Sequence, residues 1–297
     1  MSFSDVMTKI QMAEKTSDAE KMYTYKGVLY PRLMCPEENL KAVETMEARE
    51  DDIMLVAYPK CGFNWMVGVL NKIMAEAGVQ KIETESKVAP LIEFFGPDKL
   101  KVRTGCLFVF QPQFNTIKLK IYFVCLVLQM LVIFRNPKDT LVSYFHFSNN
   151  NPVLPSGQSF DSYFSQFMSG DVGWGSYFDH AVAWDKKMDD PNVMIVTYEA
   201  LKQNLTEGVR QISTFFGFKL TEDQIQQVSG QSTFNAMKQS SADTHGNLGN
   251  IFFRKGVVGD WKNNFTPEQS REMDEVFNKR LAGTRLGAKL NYQQYCQ

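Results

Sequence analysis

The chain has 297 residues, 44% hydrophobic and 22% charged, with 32 basic against 33 acidic side chains and a formal net charge of -1. That balance is the one of a folded globular protein and excludes disordered, collagenous and low-complexity classes. A near-zero charge offers no global field for nucleic acid or an anionic membrane, so neither is expected as a partner, and any anion must be met by a local cluster.

The first 21 residues are charged throughout and hold no continuous apolar stretch, so they do not read as a secretory signal. Residues 52–59, DIMLVAYP, form an almost unbroken apolar run ended by proline, which predicts a central parallel strand covered on both faces. After the turn KCGFNW, Trp65, Met66, Val69, Leu70, Ile73, Met74 and Ala77 recur at helical spacing, and Gly78 marks the stop. Residues 121–134, IYFVCLVLQMLVIF, are 14 residues long, short of the roughly 20 needed to span a bilayer. They predict a buried strand pair or core segment, with a strand at 130–135. Asn136 and Pro137 then open a helix as cap and first residue. Residues 148–175, rich in Asn, Pro, Ser, Gly and aromatics, read as a loop with a short helix. A third strand is predicted at 192–199, NVMIVTYE, followed by a helix. Thr221 with Gln224 predicts a capping box, and residues 266–269, TPEQ, repeat that signature at a helix running to Gly283.

Strands and helices alternate, with no repeat and no long linker. The fold class expected is α/β, a single domain over 1–297 with a central parallel sheet flanked by helices, residues 1–25 being an N-terminal extension. The five cysteines (Cys35, Cys61, Cys106, Cys125, Cys296) are odd in number and lack a CxxC. They read as reduced thiols of a cytoplasmic protein. His146, His180 and His245 are far apart, and no metal-ligand spacing is present, so no metal is expected.

Three segments point to anion chemistry. In the first, strand–YPKCGFNW–helix, a glycine turn leads into a helix N-terminus, where backbone N–H groups, the helix dipole and Lys60 offer positive charge. The triphosphate loop GxxxxGK[ST] is absent, which disfavours a nucleotide kinase. In the second, RNPKDTLVSYFHF, Arg135 ends a strand and Ser143 sits eight residues on, able together to grip one phosphate. In the third, FFRKGVVGDWKNNFT, Arg254 and Lys255 precede two glycines in a segment able to fold over an anion.

These three motifs, in this order and context, resemble those of the cytosolic sulfotransferases, and the resemblance runs from residue 28 to 295 outside one segment. It implies transfer of a sulfuryl group from 3'-phosphoadenosine 5'-phosphosulfate (PAPS) to a hydroxyl or amine of a small lipophilic acceptor, thyroid-hormone-like phenols being one candidate. It implies that Lys60, Cys61, Gly62, Phe63, Asn64 and Trp65 cradle the 5'-phosphosulfate. Arg135, Ser143, Arg254, Lys255 and Gly256 would hold the 3'-phosphate. Tyr198 would lie near the adenine with Ser232, Thr233, Phe234, Asn235, Ala236 and Met237, Phe234 stacking on the base. Cys61, Phe63 and Asn64 stand where Ser, Thr and Thr are commoner; Asn64 keeps an amide donor. Sulfuryl transfer resembles phosphoryl transfer, an in-line displacement governed by positioning and charge stabilisation. Lys60 is the implied catalytic residue, neutralising charge on the bridging oxygen.

Two departures from the family pattern stand out. The family's general-base histidine belongs to a short segment between the first two motifs, yet no histidine occurs between Lys60 and His146. Residues 104–129 instead read TGCLFVFQPQFNTIKLKIYFVCLVLQ, and residues 102–129 can be encoded in the way a translated intron would be, which is the expectation for this segment. The expected consequence is a chain that binds donor and turns over slowly, with His146 the nearest histidine left. The family's dimer pattern KxxxTVxxxE is met at Lys262 and Thr266, while Pro267 and Arg271 replace Val and Glu, so a homodimer through that patch is expected to be weakened.

Overall fold

The unbroken apolar run after Asp52 forms strand β3 (Ile53–Ala57), and it lies at the centre of a parallel sheet. The computed structural model describes residues 3–46, 52–79, 91–94, 96, 107–110, 128–245 and 253–297. The chain begins with helices α1 (Phe3–Glu14) and α2 (Asp18–Lys21) and an antiparallel hairpin of β1 (Met22–Tyr25) and β2 (Val28–Pro31). Lys26 and Gly27 turn that hairpin with positive φ at both positions, matching the twist of the strands. Residues 1–25, expected to be an extension, therefore include two helices and a strand, and Ala13 and Tyr25 are core residues.

Helix α3 (Glu37–Glu44) precedes β3, and α4 (Phe63–Glu76) follows it. Strand β4 (Leu107–Phe110) pairs with one edge of β3, and β5 (Gln129–Phe134) with the other. Beyond β5 lies β6 (Val193–Thr197), giving the order β4-β3-β5-β6, all parallel. Leu55, Val56 and Ala57 on β3 and Leu131 to Phe134 on β5 are completely buried. Such runs suit strands covered on both faces. The chain leaves β3 toward β4 on one side and β5 on the other, so the crevice between β3 and β5, at the carboxyl ends, is the switch point where such sheets take ligands.

Between β5 and β6 come α5 (Pro137–Asn150), α6 (Phe160–Ser169) and α7 (Tyr177–Asp185). The loop with a short helix expected over 148–175 is found, the helix being α6. Ser159 caps α6, and Gly170, in the left-handed region, ends it. After β6 follow α8 (Tyr198–Gln203), α9 (Leu205–Phe215), α10 (Glu222–Gln231) and α11 (Phe234–His245). The strand expected to reach Glu199 stops at Thr197, whose hydroxyl accepts the Ala200 N–H and starts α8, so Tyr198 and Glu199 are helical. Capping boxes at Thr221 and Thr266 match expectation. The second opens α12 (Pro267–Arg280), which ends before Gly283, and α13 (Arg285–Lys289) and α14 (Tyr292–Cys296) close the fold.

Three positions of the dimer pattern are engaged within the chain. Lys262 Nζ donates to the Gln297 carbonyl, Thr266 caps α12, and Arg271 pairs with Glu268. Of the atypical segment 102–129, only Leu107–Phe110, Leu128 and Gln129 are described; β4 was not foreseen, and Leu128 is fully buried. The remainder of 102–129, with Cys106, Cys125 and the first half of the 121–134 run, lies outside the described residues. Among the described residues, no helix is long and apolar enough to cross a membrane.

Candidate active site

The β3–α4 turn places Lys60 at the carboxyl end of the sheet. Lys60 has φ 69°, a strained value for a residue with a side chain. Gly62, with φ 105°, starts α4; a Cβ there would lie 2.9 Å from Tyr198 and 3.1 Å from Ile133, so only glycine fits. No side chain caps α4. Gly62, Phe63, Asn64 and Trp65 line the main cavity, so the first turn of the helix, where N–H groups lack intrahelical partners, borders it. Cys61 lies beneath, fully buried with its sulfur 3.7 Å from Thr140 Oγ1, and burial pushes its thiol up to about 12.

The β5–α5 junction supplies the second wall. Asn136 caps α5 by accepting the Asp139 N–H, and donates its amide to Glu199 at 2.8 Å. Arg135 is buried, its Nη2 2.9 Å from the Val257 carbonyl and its guanidinium over the Tyr198 ring at 4.6 Å. Its Nε has no partner among the described residues. The Tyr177 hydroxyl donates to the Arg135 carbonyl at 2.7 Å and fixes the strand end. Ser143, Phe147 and Asn151 line the cavity at i, i+4 and i+8, one face of α5 and its C-cap.

The third wall is the loop before α12. Arg254, Lys255, Gly256 and Val257 line the cavity. Gly256 has φ 66°, and a Cβ there would come within 2.4 Å of the Phe234 ring, itself a wall of the cavity. Asp139 binds this loop to α5: its carboxylate, 1% exposed, accepts the Gly259 N–H at 2.7 Å and the Trp261 N–H at 3.0 Å.

Three of the four described non-glycine residues with positive φ are outside a hairpin turn, and two of them, Lys60 and Trp174, line the cavity. Strain of about 1–3 kcal/mol each tends to gather where function fixes the backbone. The Trp174 N–H donates to Leu29 of the hairpin at 2.8 Å, which ties the N-terminal strands to this wall.

Lys60 carries the most displaced charge of the site. Its Nζ lies 4.2 Å from the centre of the Phe147 ring. Burial, reinforced by Arg135 and Arg254, brings its ammonium down to about 7. Among the described residues no carboxylate lines the cavity.

Of the residues expected at the site, Lys60, Gly62, Phe63, Asn64, Trp65, Arg135, Ser143, Tyr198, Phe234, Arg254, Lys255 and Gly256 surround one cavity. The segment 232–237 is divided. Phe234 lines the cavity, while Ser232 stands behind it, its carbonyl accepting Trp65 Nε1 at 2.6 Å. Thr233 begins α11 by accepting the Ala236 N–H, and Asn235 is exposed. Met237 packs on α4 at Gly68, where it takes the space a Cβ would need.

The remaining walls were not singled out in the sequence. Ile10, Met34, Leu91, Phe94, Phe147, Val153 and Trp174 supply apolar walls. Only the α5 spacing after Ser143 carried a signal for Phe147. His146 is off that face and outside the cavity lining, bonded to Asn264; burial and the nearby Arg254 hold its imidazole below the ordinary value. His180 is 1% exposed among Tyr58, Phe134 and Trp184, and burial lowers it to about 3. The His245 side chain is outside the described residues. No group of three or more His, Cys, Asp or Glu able to hold a metal occurs among the described residues.

Comparison with known proteins gives this cavity a context. A solved structure of mouse sulfotransferase SULT7A1 complexed with PAP matches with a TM-score of 0.79 and 29% identity, covering 92% of this chain and 100% of that one. Retinol dehydratase, solved with androsterone and inactive cofactor PAP, matches in fold with a TM-score of 0.70 at 20% identity, covering 93% of this chain and 95% of that one. Sulfotransferase 6B1 of Danio rerio is 50% identical over 99% of this chain and 100% of its own length. Sulfotransferase 6B1 of Homo sapiens is 45% identical over 97% and 95%. The sulfotransferase domain family matches residues 50–285, and with relatives this similar along their whole length, the chain belongs to the sulfotransferase family and is an enzyme of that class.

Proposed function

We propose that this chain transfers a sulfuryl group from PAPS to the hydroxyl, or amine, of a small lipophilic acceptor, a phenol such as a thyroid hormone being the candidate class. The observation that carries the reading is one cavity with two unlike kinds of wall. Lys60, Arg135, Arg254 and Lys255 line it, and so do the apolar side chains Ile10, Met34, Phe94, Phe147, Val153 and Trp174. The residues fit a phosphorylated adenosine. The uncapped α4 turn and Lys60 suit the 5'-phosphosulfate, and Arg135, Ser143, Arg254, Lys255 and Gly256 suit the 3'-phosphate. Tyr198 and Phe234 offer aromatic surface to the base. The donor supplies the sulfuryl group. Lys60 neutralises the charge left on the phosphate, Phe147 keeps its ammonium over the cavity, and the apolar walls exclude water.

A second reading rests on what the cavity lining lacks. No His, Asp or Glu lines the cavity among the described residues, and the chain has only three histidines. The enzyme then binds donor but moves the acceptor proton poorly, slowing turnover by the general-base share of about 10²–10⁴-fold. The unpaired buried thiols of Cys35, Cys61 and Cys296 support a reducing, cytoplasmic setting. Isothermal titration with PAP tests the common part of both readings. Saturable binding that Lys60→Met and Arg254→Met weaken is expected. No binding by the folded protein overturns both.

A further inference from the structure

Both cations of the third loop lean on one carboxylate that does not itself line the cavity. Arg254 Nη2 is 2.5 Å from Asp260 Oδ2, and Lys255 Nζ is 2.8 Å from Asp260 Oδ1. Asn263 Nδ2 also donates to Oδ1, at 3.3 Å. Asp260 is 5% exposed, whereas the Arg254 and Lys255 side chains are 29% and 51% exposed. Burial alone would raise its carboxyl; the bonds from Lys255 and Arg254 outweigh that and hold it at about 2.

The carboxylate is the fixed partner. Asp260 opens a short 3-10 turn, Asp260–Asn263, and the N–H groups on either side of it, of Gly259 and Trp261, are bonded to buried Asp139 on α5. The cations belong to irregular loop, and the side chains of both line the cavity. Long cationic side chains lose rotamer freedom when they bind, so a cation already held in place binds an anion more tightly than a free one. A single carboxylate behind two cations also cancels one of their charges, which weakens their pull on anions that do not reach the right spot.

We propose that Asp260 is a positioning residue that sets the selectivity of this site for a nucleotide bearing a 3'-phosphate, by fixing Arg254 and Lys255 at one spacing. The inference rests on the donor reading above and deepens it. It assigns to a residue outside the cavity the discrimination between adenosine nucleotides with and without that phosphate.

The test is titration of the wild type, Asp260→Asn and Asp260→Glu with PAP and with adenosine 5'-monophosphate, beside a thermal melt of each. The ratio of the two affinities measures what the 3'-phosphate contributes. In Asp260→Asn the ratio is expected to fall by about tenfold through weaker PAP binding, with adenosine 5'-monophosphate unchanged. Asp260→Glu keeps the charge but displaces the carboxylate, and it is expected to lower the ratio less. An unchanged ratio, equal weakening of both ligands, or a raised ratio in Asp260→Asn overturns the assignment. If Asp260→Asn fails to fold, the ratio in Asp260→Glu decides alone. Failure of the wild type to bind PAP overturns the donor reading itself, an outcome separate from a wild type that binds and a variant whose ratio does not move.

Discussion

The ammonium of Lys60 meets an aromatic face and two like charges in place of a carboxylate, and its titration follows from that. With its value lowered to about 7, it is largely neutral above that pH before nucleotide is added. A bound phosphate restores the charge, so nucleotide binding takes up a proton above pH 7, and PAP affinity falls as pH rises from 7 toward 9. Titration at pH 8 in two buffers of different ionisation enthalpy measures that uptake, and Lys60→Met abolishes it. The same group acts on stability with the opposite trend. The folded chain holds fewer protons than the unfolded one between about pH 7 and the ordinary lysine value, so this residue's destabilisation is full below 7 and relieved as pH rises through that window. Lys60 and Arg135 were legible because a charged residue after an apolar run is conspicuous. Asp260 was not, since a carboxylate five residues beyond a basic pair looks like any solvated turn until the loop is folded around it.

Helix α5 is the element on which the three loops converge. Arg135 and the Asn136 cap stand just before its first turn, Asp139 holds the third loop, and Ser143 and Phe147 face the cavity. Asp139→Ala would leave two loop N–H groups without acceptors where the loop meets the helix, at about 1–3 kcal/mol each. The expected outcome is a lower denaturant midpoint together with weaker PAP binding, read by unfolding curves and titration. A variant of unchanged midpoint would mean that the loop finds other partners. At this scale the sequence was informative wherever the pattern was local: β3, β5 and β6 are apolar runs, and Thr221 and Thr266 announce their helices. It was silent on β4, four residues inside a segment without recognisable pattern. It also misassigned Tyr198 and Glu199, because the Thr197 cap that turns strand into helix was not weighed against the apolar run before it.

Across the whole molecule, the cavity joins pieces that are distant in sequence. Ile10 comes from the first helix, Trp174 from the loop before α7 and pinned to the hairpin, and Arg254 from near the end. No local spacing encodes that meeting, which is why the motif-borne cationic walls were legible and the apolar walls were not. The slow-turnover reading has a chemical consequence. With no His, Asp or Glu among the described lining residues, acceptors that surrender their proton easily are expected to react faster, so the rate with PAPS should rise steeply along a series of phenols of increasing acidity, and aliphatic alcohols should react least. A rate independent of acceptor acidity, with a bell-shaped pH profile, would reveal a base and sink the slow-turnover reading.

Two of the four tryptophans stand in the cavity walls. Trp65 is edge-on to Tyr198 at 5.2 Å, with its indole N–H held by Ser232, and Trp174 lies among the apolar side chains. Trp184 is sealed in the core, and the indole N–H of Trp261 is held by the Tyr295 carbonyl. On the proposed function the enzyme carries its own optical labels: a base entering beside Trp65 and an acceptor settling against Trp174 would perturb different emitters. Replacing Trp174 with phenylalanine leaves Trp65 as the one cavity tryptophan, so the order in which donor and acceptor bind would become visible in intrinsic fluorescence, without a dye.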